Sequence, residues 1–250
     1  MVYLRTPKEI QLIGESARIV AGCLQQLKSM VRPGLTTQEL DQEARKFIEG
    51  HGGRCAFKGY RGYPAHICAS VNEEVVHGIP SGRALKEGDT VSLDVGVQKD
   101  GYFGDAALTV KVGAVEPTAE RLLKITEDAL YKGLEQARPG NRLGDIGHAV
   151  QSVVEEAGFS VVRSLVGHGI GRQMHEDPQV PNYGLPGRGL KLQAGMVLAI
   201  EPMVNAGGPD TQTLDDQWTV VTRDSSRSAH FEHTVAVTAD GPLILSRWEP

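Results

Sequence analysis

Apolar residues recur at helical spacing near the N-terminus. Ile10, Ile13, Ala17, Val20, Leu24 and Leu27 share one helix face. Thr6 is placed to cap that helix, Pro7 suits its first position, and Glu9 closes a capping box. Pro33-Gly34 stops it. A second capping box, Thr36 with Glu39, opens a helix with Leu40, Ala44, Phe47 and Ile48 on its buried face, and Gly50 to Gly53 ends it. After Pro117-Thr118 the pattern returns through Leu122, Ile125, Leu130 and Leu134, closing at Arg138-Pro139-Gly140. Residues 90–97 and 102–112 read as a hairpin turning over Lys99-Asp100-Gly101. Residues 196–200, 218–222, 231–237 and 243–245 read as further strands. Paired helices and hairpin strands predict an α+β fold with helices packed on an antiparallel sheet.

Arg138-Pro139-Gly140 repeats Arg32-Pro33-Gly34 at an offset of 106 residues. At that offset Leu40 falls on Ile146, Ala44 on Val150, Phe47 on Val153 and Ile48 on Val154. Any two amphipathic helices look alike to a degree. The shared tripeptide and the shared register favour an internal duplication. The expectation is one domain over residues 1–250, with halves of about 1–112 and 113–250.

Composition narrows the function classes. The chain has 250 residues, 40% hydrophobic and 23% charged, which excludes intrinsic disorder. A net charge of -5 gives no broad basic face, so nucleic-acid binding is not expected. Cys23, Cys55 and Cys68 are odd in number and form no CxxC, which argues against a zinc ribbon or a disulfide framework and for a reducing compartment. No signal peptide is evident, and no stretch approaches the roughly 20 apolar residues of a membrane span. A cytoplasmic protein is expected.

The chemistry lies in strands and glycine-rich loops. Asp94 interrupts an otherwise apolar strand, where an unpaired carboxylate is costly. Asp105 lies across the turn, within a residue or two of direct opposition. Glu201 ends an apolar run and Glu232 sits in another strand pattern. Singly, each could be a turn-proximal or edge-strand charge; that explanation fails for four together. His168 lies between glycines, His175 follows seven residues later, and His77 also precedes a glycine. A lone histidine of this kind is more often structural than a ligand, and His51, His66, His148, His230 and His233 are read that way. The His168 segment matches neither a P-loop nor a dinucleotide fingerprint. With His168, the four acids carry a charge of −4, which two divalent cations balance. Oxygen donors with one imidazole suit Mn, Fe, Co or Zn. Two such ions close together acidify a shared water.

These residues carry a family resemblance. Residues 75–80 (Val-Val-His-Gly-Ile-Pro), 92–96, 101–105, 167–172, 175–178, 199–202 (Ala-Ile-Glu-Pro) and 231–234 (Phe-Glu-His-Thr) stand in the order and spacing of the type I methionine aminopeptidases of bacterial kind. The resemblance spans essentially the whole chain. It implies the pita-bread fold, with two pseudo-symmetric halves, and a monomeric metallo-exopeptidase. Such an enzyme removes the initiator methionine from nascent chains when the next residue is small, and its role implies a transient ribosome contact. It also implies that Asp94, Asp105, His168, Glu201 and Glu232 hold two metal ions, with Asp105 and Glu232 bridging them. His77 and His175 would contact the scissile peptide, Glu201 would serve as general base, and Tyr60, Tyr63, Cys68 and Trp218 would wall the methionine pocket. Met174, Phe57, Arg61 and His230 depart from residues common in relatives. An X-Pro peptidase of the same fold is one alternative, and an inactive pita-bread binding protein is another. The first usually carries an extra N-terminal domain; the second loses ligands.

Overall fold

Both capping boxes form. In the computed structural model, which describes residues 1–248, the Glu9 backbone N–H donates to Thr6 Oγ1 at 3.3 Å and Thr6 N–H donates to Glu9 Oε2 at 3.0 Å. They open α1 (Pro7–Met30). Thr36 and Glu39 do the same for α2 (Thr37–Gly50). In the second half α3 spans Pro117–Glu135 and α4 spans Leu143–Glu156. The limits of α2 and α4 lie 106 residues apart at both ends. The glycines before them, Gly34 (φ 88°) and Gly140 (φ 97°), share the left-handed conformation that lets the chain turn back so sharply.

Strands are β1 (Arg54–Cys55), β2 (Cys68–Val71), β3 (Glu74–Val76), β4 (Thr90–Lys99), β5 (Tyr102–Lys111), β6 (Ser160–Val161), β7 (Gly167–Gly169) and β8 (Glu176–Val180). They continue as β9 (Val197–Ile200), β10 (Met203–Asn205), β11 (Thr211–Thr213), β12 (Val220–Thr222), β13 (Ser228–His230), β14 (Glu232–Thr238) and β15 (Gly241–Ile244). The expected hairpin is β4–β5, and the other expected strands are β9, β12, β14 and β15 with shifted ends. Phe231 lies between two strands, its N–H donating to the Pro202 carbonyl. The strands not expected are two to five residues long, too short to show a period.

Among the described residues the main sheet runs β1-β4-β5-β14-β9-β7-β8, with β2 also on β4 and β15 also on β14. Every pairing in it is antiparallel. Two smaller sheets, β13-β10-β6 and β11-β12-β3, flank it. Side chains alternate between faces along a strand. Val91, Leu93, Val95 and Val97 of β4, Ala106 and Leu108 of β5, Leu198 and Ile200 of β9, and Val235 and Val237 of β14 join the helices in one core. The intervening residues, Asp94, Asp105 and Glu232 among them, face the other way. Among the described residues no helix is long and apolar enough to cross a membrane.

α1 rests on β5 at Gly104, where an added Cβ would stand 2.5 Å from the Ala17 backbone nitrogen. Backbone cannot yield as a side chain can. Gly104→Ala is therefore expected to cost about 1–3 kcal/mol of stability through overpacking. Urea denaturation would show it as a lower midpoint with unchanged slope; an unchanged midpoint would contradict this packing.

Candidate active site

The sheet register brings the acids together. Asp94 lies directly opposite Cys68 on one side and Ala107 on the other, and Ala107 lies opposite Glu232. Directly opposed residues share a face. Asp105, two residues from Ala107, is on that face too. His168 opposes Ala199 of β9, and Glu201 follows two residues on, just past the strand end. Five donors from five consecutive regions of the sheet thus converge. His168 Nε2 is 3.5 Å from Glu201 Oε1 and 3.9 Å from Asp105 Oδ2.

The supporting bonds aim these groups. Thr234 Oγ1 donates to the Asp105 carbonyl at 2.7 Å and accepts from Asp105 N–H at 3.1 Å, just where the β5–β14 ladder has run out. Buried Asn182 donates from Nδ2 to the Glu201 carbonyl at 3.0 Å. His168 Nδ1 sits 2.9 Å from the Gly169 carbonyl and donates to it, which leaves Nε2 as the lone-pair nitrogen facing the acids.

Electrostatics resists this arrangement. Burial pushes Asp94 up to about 7. Asp105 is held well above the usual carboxylate range by burial and then by the Glu232 and Asp94 charges. Glu201 and Glu232 are raised for the same reasons, burial first and neighbouring carboxylates second. Burial pushes His168 down to about 4, so its imidazole is neutral near pH 7. Asp94 Oδ1, Asp105 Oδ1 and Glu232 Oε1 are buried without a hydrogen-bond partner. Donor atoms of Asp105, His168 and Glu232 lie within 4.8 Å of one another. Unpaired buried carboxylate oxygens beside a neutral imidazole are what a bound cation would satisfy, so the residues fit a divalent metal.

An aromatic cluster lines the same cleft. Tyr63 is buried, and its hydroxyl lies 3.1 Å from the Ile67 carbonyl and 3.0 Å from the Gly78 carbonyl. Trp218 meets Tyr63 edge-on at 5.1 Å, and the Asp216 carboxylate accepts the Trp218 N–H at 2.8 Å. Phe57, Cys68 and buried Met174 complete the apolar cluster. His77 has a left-handed backbone (φ 60°), and the next residue, Gly78, is pressed so close to β2 that an added Cβ would meet the Ala69 carbonyl at 2.6 Å. His175 Nδ1 is 3.0 Å from the Tyr60 hydroxyl, and its ring centroid is 4.2 Å from that of His168. Burial against these groups depresses the pKa of both His77 and His175.

All the residues singled out from sequence line one cleft, with a cavity volume of about 140 Å³: the five donors, His77, His175, Tyr60, Tyr63, Cys68 and Trp218. Phe57 and Arg61 line it as well. His230, read as structural, borders the site. It is 2% exposed, and its Nε2, which has no hydrogen-bond partner, lies 3.8 Å from Glu201 Oε2. Asn182 gave no local signal, and Thr234 none beyond its place in the 231–234 motif, because they act through partners distant in sequence.

Residues 11–239 match metallopeptidase family M24. The chain belongs to that family. The methionine aminopeptidase 1 of Bacillus subtilis (strain 168) is 53% identical over 247 residues, covering 99% of this chain and all of that protein. The crystal structure of methionine aminopeptidase from Rickettsia prowazekii superposes with a TM-score of 0.97 at 44% identity, covering 99% of this chain and 100% of that one. Prolidase from Pyrococcus furiosus matches at a TM-score of 0.79 and 21% identity, over 99% of this chain and 66% of its own, a likeness of fold alone. The fold is the pita-bread fold expected from the sequence. As an M24 metallopeptidase the protein is a metal-dependent hydrolase.

Metal entry must displace the protons held by the carboxyl cluster. A carboxyl whose folded pKa is raised stabilises the metal-free fold below its ordinary value. That contribution is lost as pH rises through the raised one, about 7 for Asp94. Added Mn²⁺ is therefore expected to raise the Tm of chelator-stripped protein more at pH 8 than at pH 6, with proton release detectable by calorimetry in buffers of different ionisation enthalpy. Equal Tm gains at both pH values without proton release would contradict the cluster's protonation.

Proposed function

We propose that the chain is a methionine aminopeptidase, removing an N-terminal methionine when the second residue is small. The observation carrying this reading is one cleft with two unlike parts: five metal-type donors beside an apolar cluster of Tyr63, Phe57, Cys68 and Trp218. A thioether side chain suits such a cluster. The names of full-length relatives support the reading. Asp94, Asp105, His168, Glu201 and Glu232 hold two divalent ions, Co, Mn, Fe or Zn, whose charge balances four carboxylates. The ions supply Lewis acidity toward the scissile carbonyl and toward water.

The chain's own residues supply the rest. The apolar wall takes the methionine side chain, and a free α-amine, with its lone pair available, would be taken up by a bound ion, which would restrict cleavage to the chain end. Glu201, its Oε1 3.5 Å from His168 Nε2, accepts a proton from the attacking water. His175 is positioned by Tyr60 and neutral, so a ring N–H can donate to oxygen as charge develops there. His77 lines the same cleft, its ring 6.4 Å from that of Trp218. The reading further carries an internal duplication, which the matched spans of α2 and α4 support. It also carries a cytoplasmic monomer that meets nascent chains at the ribosome. The inactive alternative is disfavoured because all five donors are present. The X-Pro alternative has only its 21% likeness of fold behind it.

Metal-loaded protein is expected to cleave Met-Ala-Ser, to lose that activity with chelator, and to spare both N-acetyl-Met-Ala-Ser and a Pro-containing dipeptide. Cleavage of the dipeptide alone would favour the X-Pro reading; full activity of protein shown metal-free by elemental analysis would exclude the metal model.

The two neighbouring histidines are separable. His175→Ala is expected to keep its metal and to lose roughly 10²–10³ in turnover, as for loss of an oxyanion donor. His168→Ala is expected to lose metal. Calorimetric metal titration beside steady-state kinetics checks this, and the reverse pattern would swap the two roles.

A further inference from the structure

A second cavity adjoins the active-site cleft and shares Arg61, His168 and His175 with it. Its volume is about 490 Å³, against about 140 Å³ for the cleft. A peptide whose first residue fills the cleft and whose scissile bond lies at His175 must continue somewhere. This cavity opens at that point. An extended chain advances about 3.3 Å per residue and alternates its side chains, so the second and third residues past the bond pass through it.

The charges there are unevenly committed. Glu176 is paired with Arg5 and also accepts the backbone N–H groups of Arg172 and Gln173. Asp177 is paired with the Met1 α-ammonium. Arg61 is different: among the described residues its guanidinium has no ion-pair partner, and it lies over the Tyr60 ring at 5.4 Å. Its own backbone is left-handed (φ 49°, ψ 22°), between Gly59 (φ 83°) and Gly62 (φ 91°). That turn places Arg61 where the two cavities meet, next to Tyr60, which lines the cleft and is bonded to His175. A cation held at this boundary by ring stacking, with no carboxylate of its own, is available to a substrate.

We propose that the second cavity receives the substrate chain beyond the cleaved bond and that Arg61 selects there for an acidic side chain. This rests on the aminopeptidase reading and names a preference within it. The test compares kcat/KM for Met-Ala-Xaa-Ser and Met-Ala-Ser-Xaa, with Xaa as Asp, Asn or Lys. For one of the two positions, wild-type enzyme at low ionic strength is expected to favour Asp over Lys by roughly tenfold, mostly through KM, the size of a partly exposed ion pair acting in both directions. Salt at 0.5 M should shrink the ratio. Arg61→Gln should bring it close to one, and Arg61→Glu should invert it. An Asp-to-Lys ratio in Arg61→Gln equal to that of wild type would overturn the proposal, as would no discrimination by wild type at either position. Failure of wild type to cleave even the Asn peptides would instead overturn the aminopeptidase reading.

Discussion

Four carboxyl groups removed from water onto one face of a sheet set the terms for the rest of the structure. Like charges at such range cannot all ionise without a countercharge, and the fold lifts every one of their pKa values. The chain keeps them there by making the opposite face apolar and covering it with four helices, so that flipping a strand would expose the core. At the centre of the donor face lies Ala107, opposite both Asp94 and Glu232. A methyl group there leaves the space between the carboxylates open. A larger side chain would fill the space between the carboxylates.

The aromatic cluster beside the acids is held as firmly. Tyr63 ties its loop to the carbonyls beside His77, Asp216 fixes Trp218 by its backbone, and Gly78 lies flat against β2. His77 holds a left-handed backbone that only surrounding structure can enforce. These contacts set imidazole and aromatic positions before a substrate arrives. The two parts of the cleft therefore need little rearrangement to bind, and the ordering cost of binding is lowered accordingly.

The elements written in local chemistry were the ones legible from sequence. Thr6 with Glu9 and Thr36 with Glu39 cap their helices by contacts three residues apart, and the β4–β5 hairpin turns on Asp100-Gly101 with long alternating strands on either side. Asp94, Asp105, Glu201 and Glu232 stood out because each breaks an apolar run. Short strands such as β7 and β10 were invisible, since three residues carry no period and pair only because distant partners lie alongside. Asn182, and the role of Thr234 within the 231–234 motif, escape local reading for a related reason: each bonds a backbone group that the fold, not the sequence, brings near. His230 looked like one more core histidine until Glu201 was placed beside it.

The junction of β5 with β14 is narrow. Only Ala107 with Glu232 and Ala106 with His233 are in register, with Thr234 reaching across beyond them. Asp94 and Asp105 stand on one side of that seam, and His168, Glu201 and Glu232 on the other. On the proposed ligand set, the same ions that serve catalysis fasten the two sides together like a clasp. With the clasp empty, bound protons must neutralise the carboxyls on both sides of the seam; a cation in their place would draw both sides toward one charge. Loss of metal thus does more than silence the enzyme. It would also remove a tie across the seam between the two sides of the sheet.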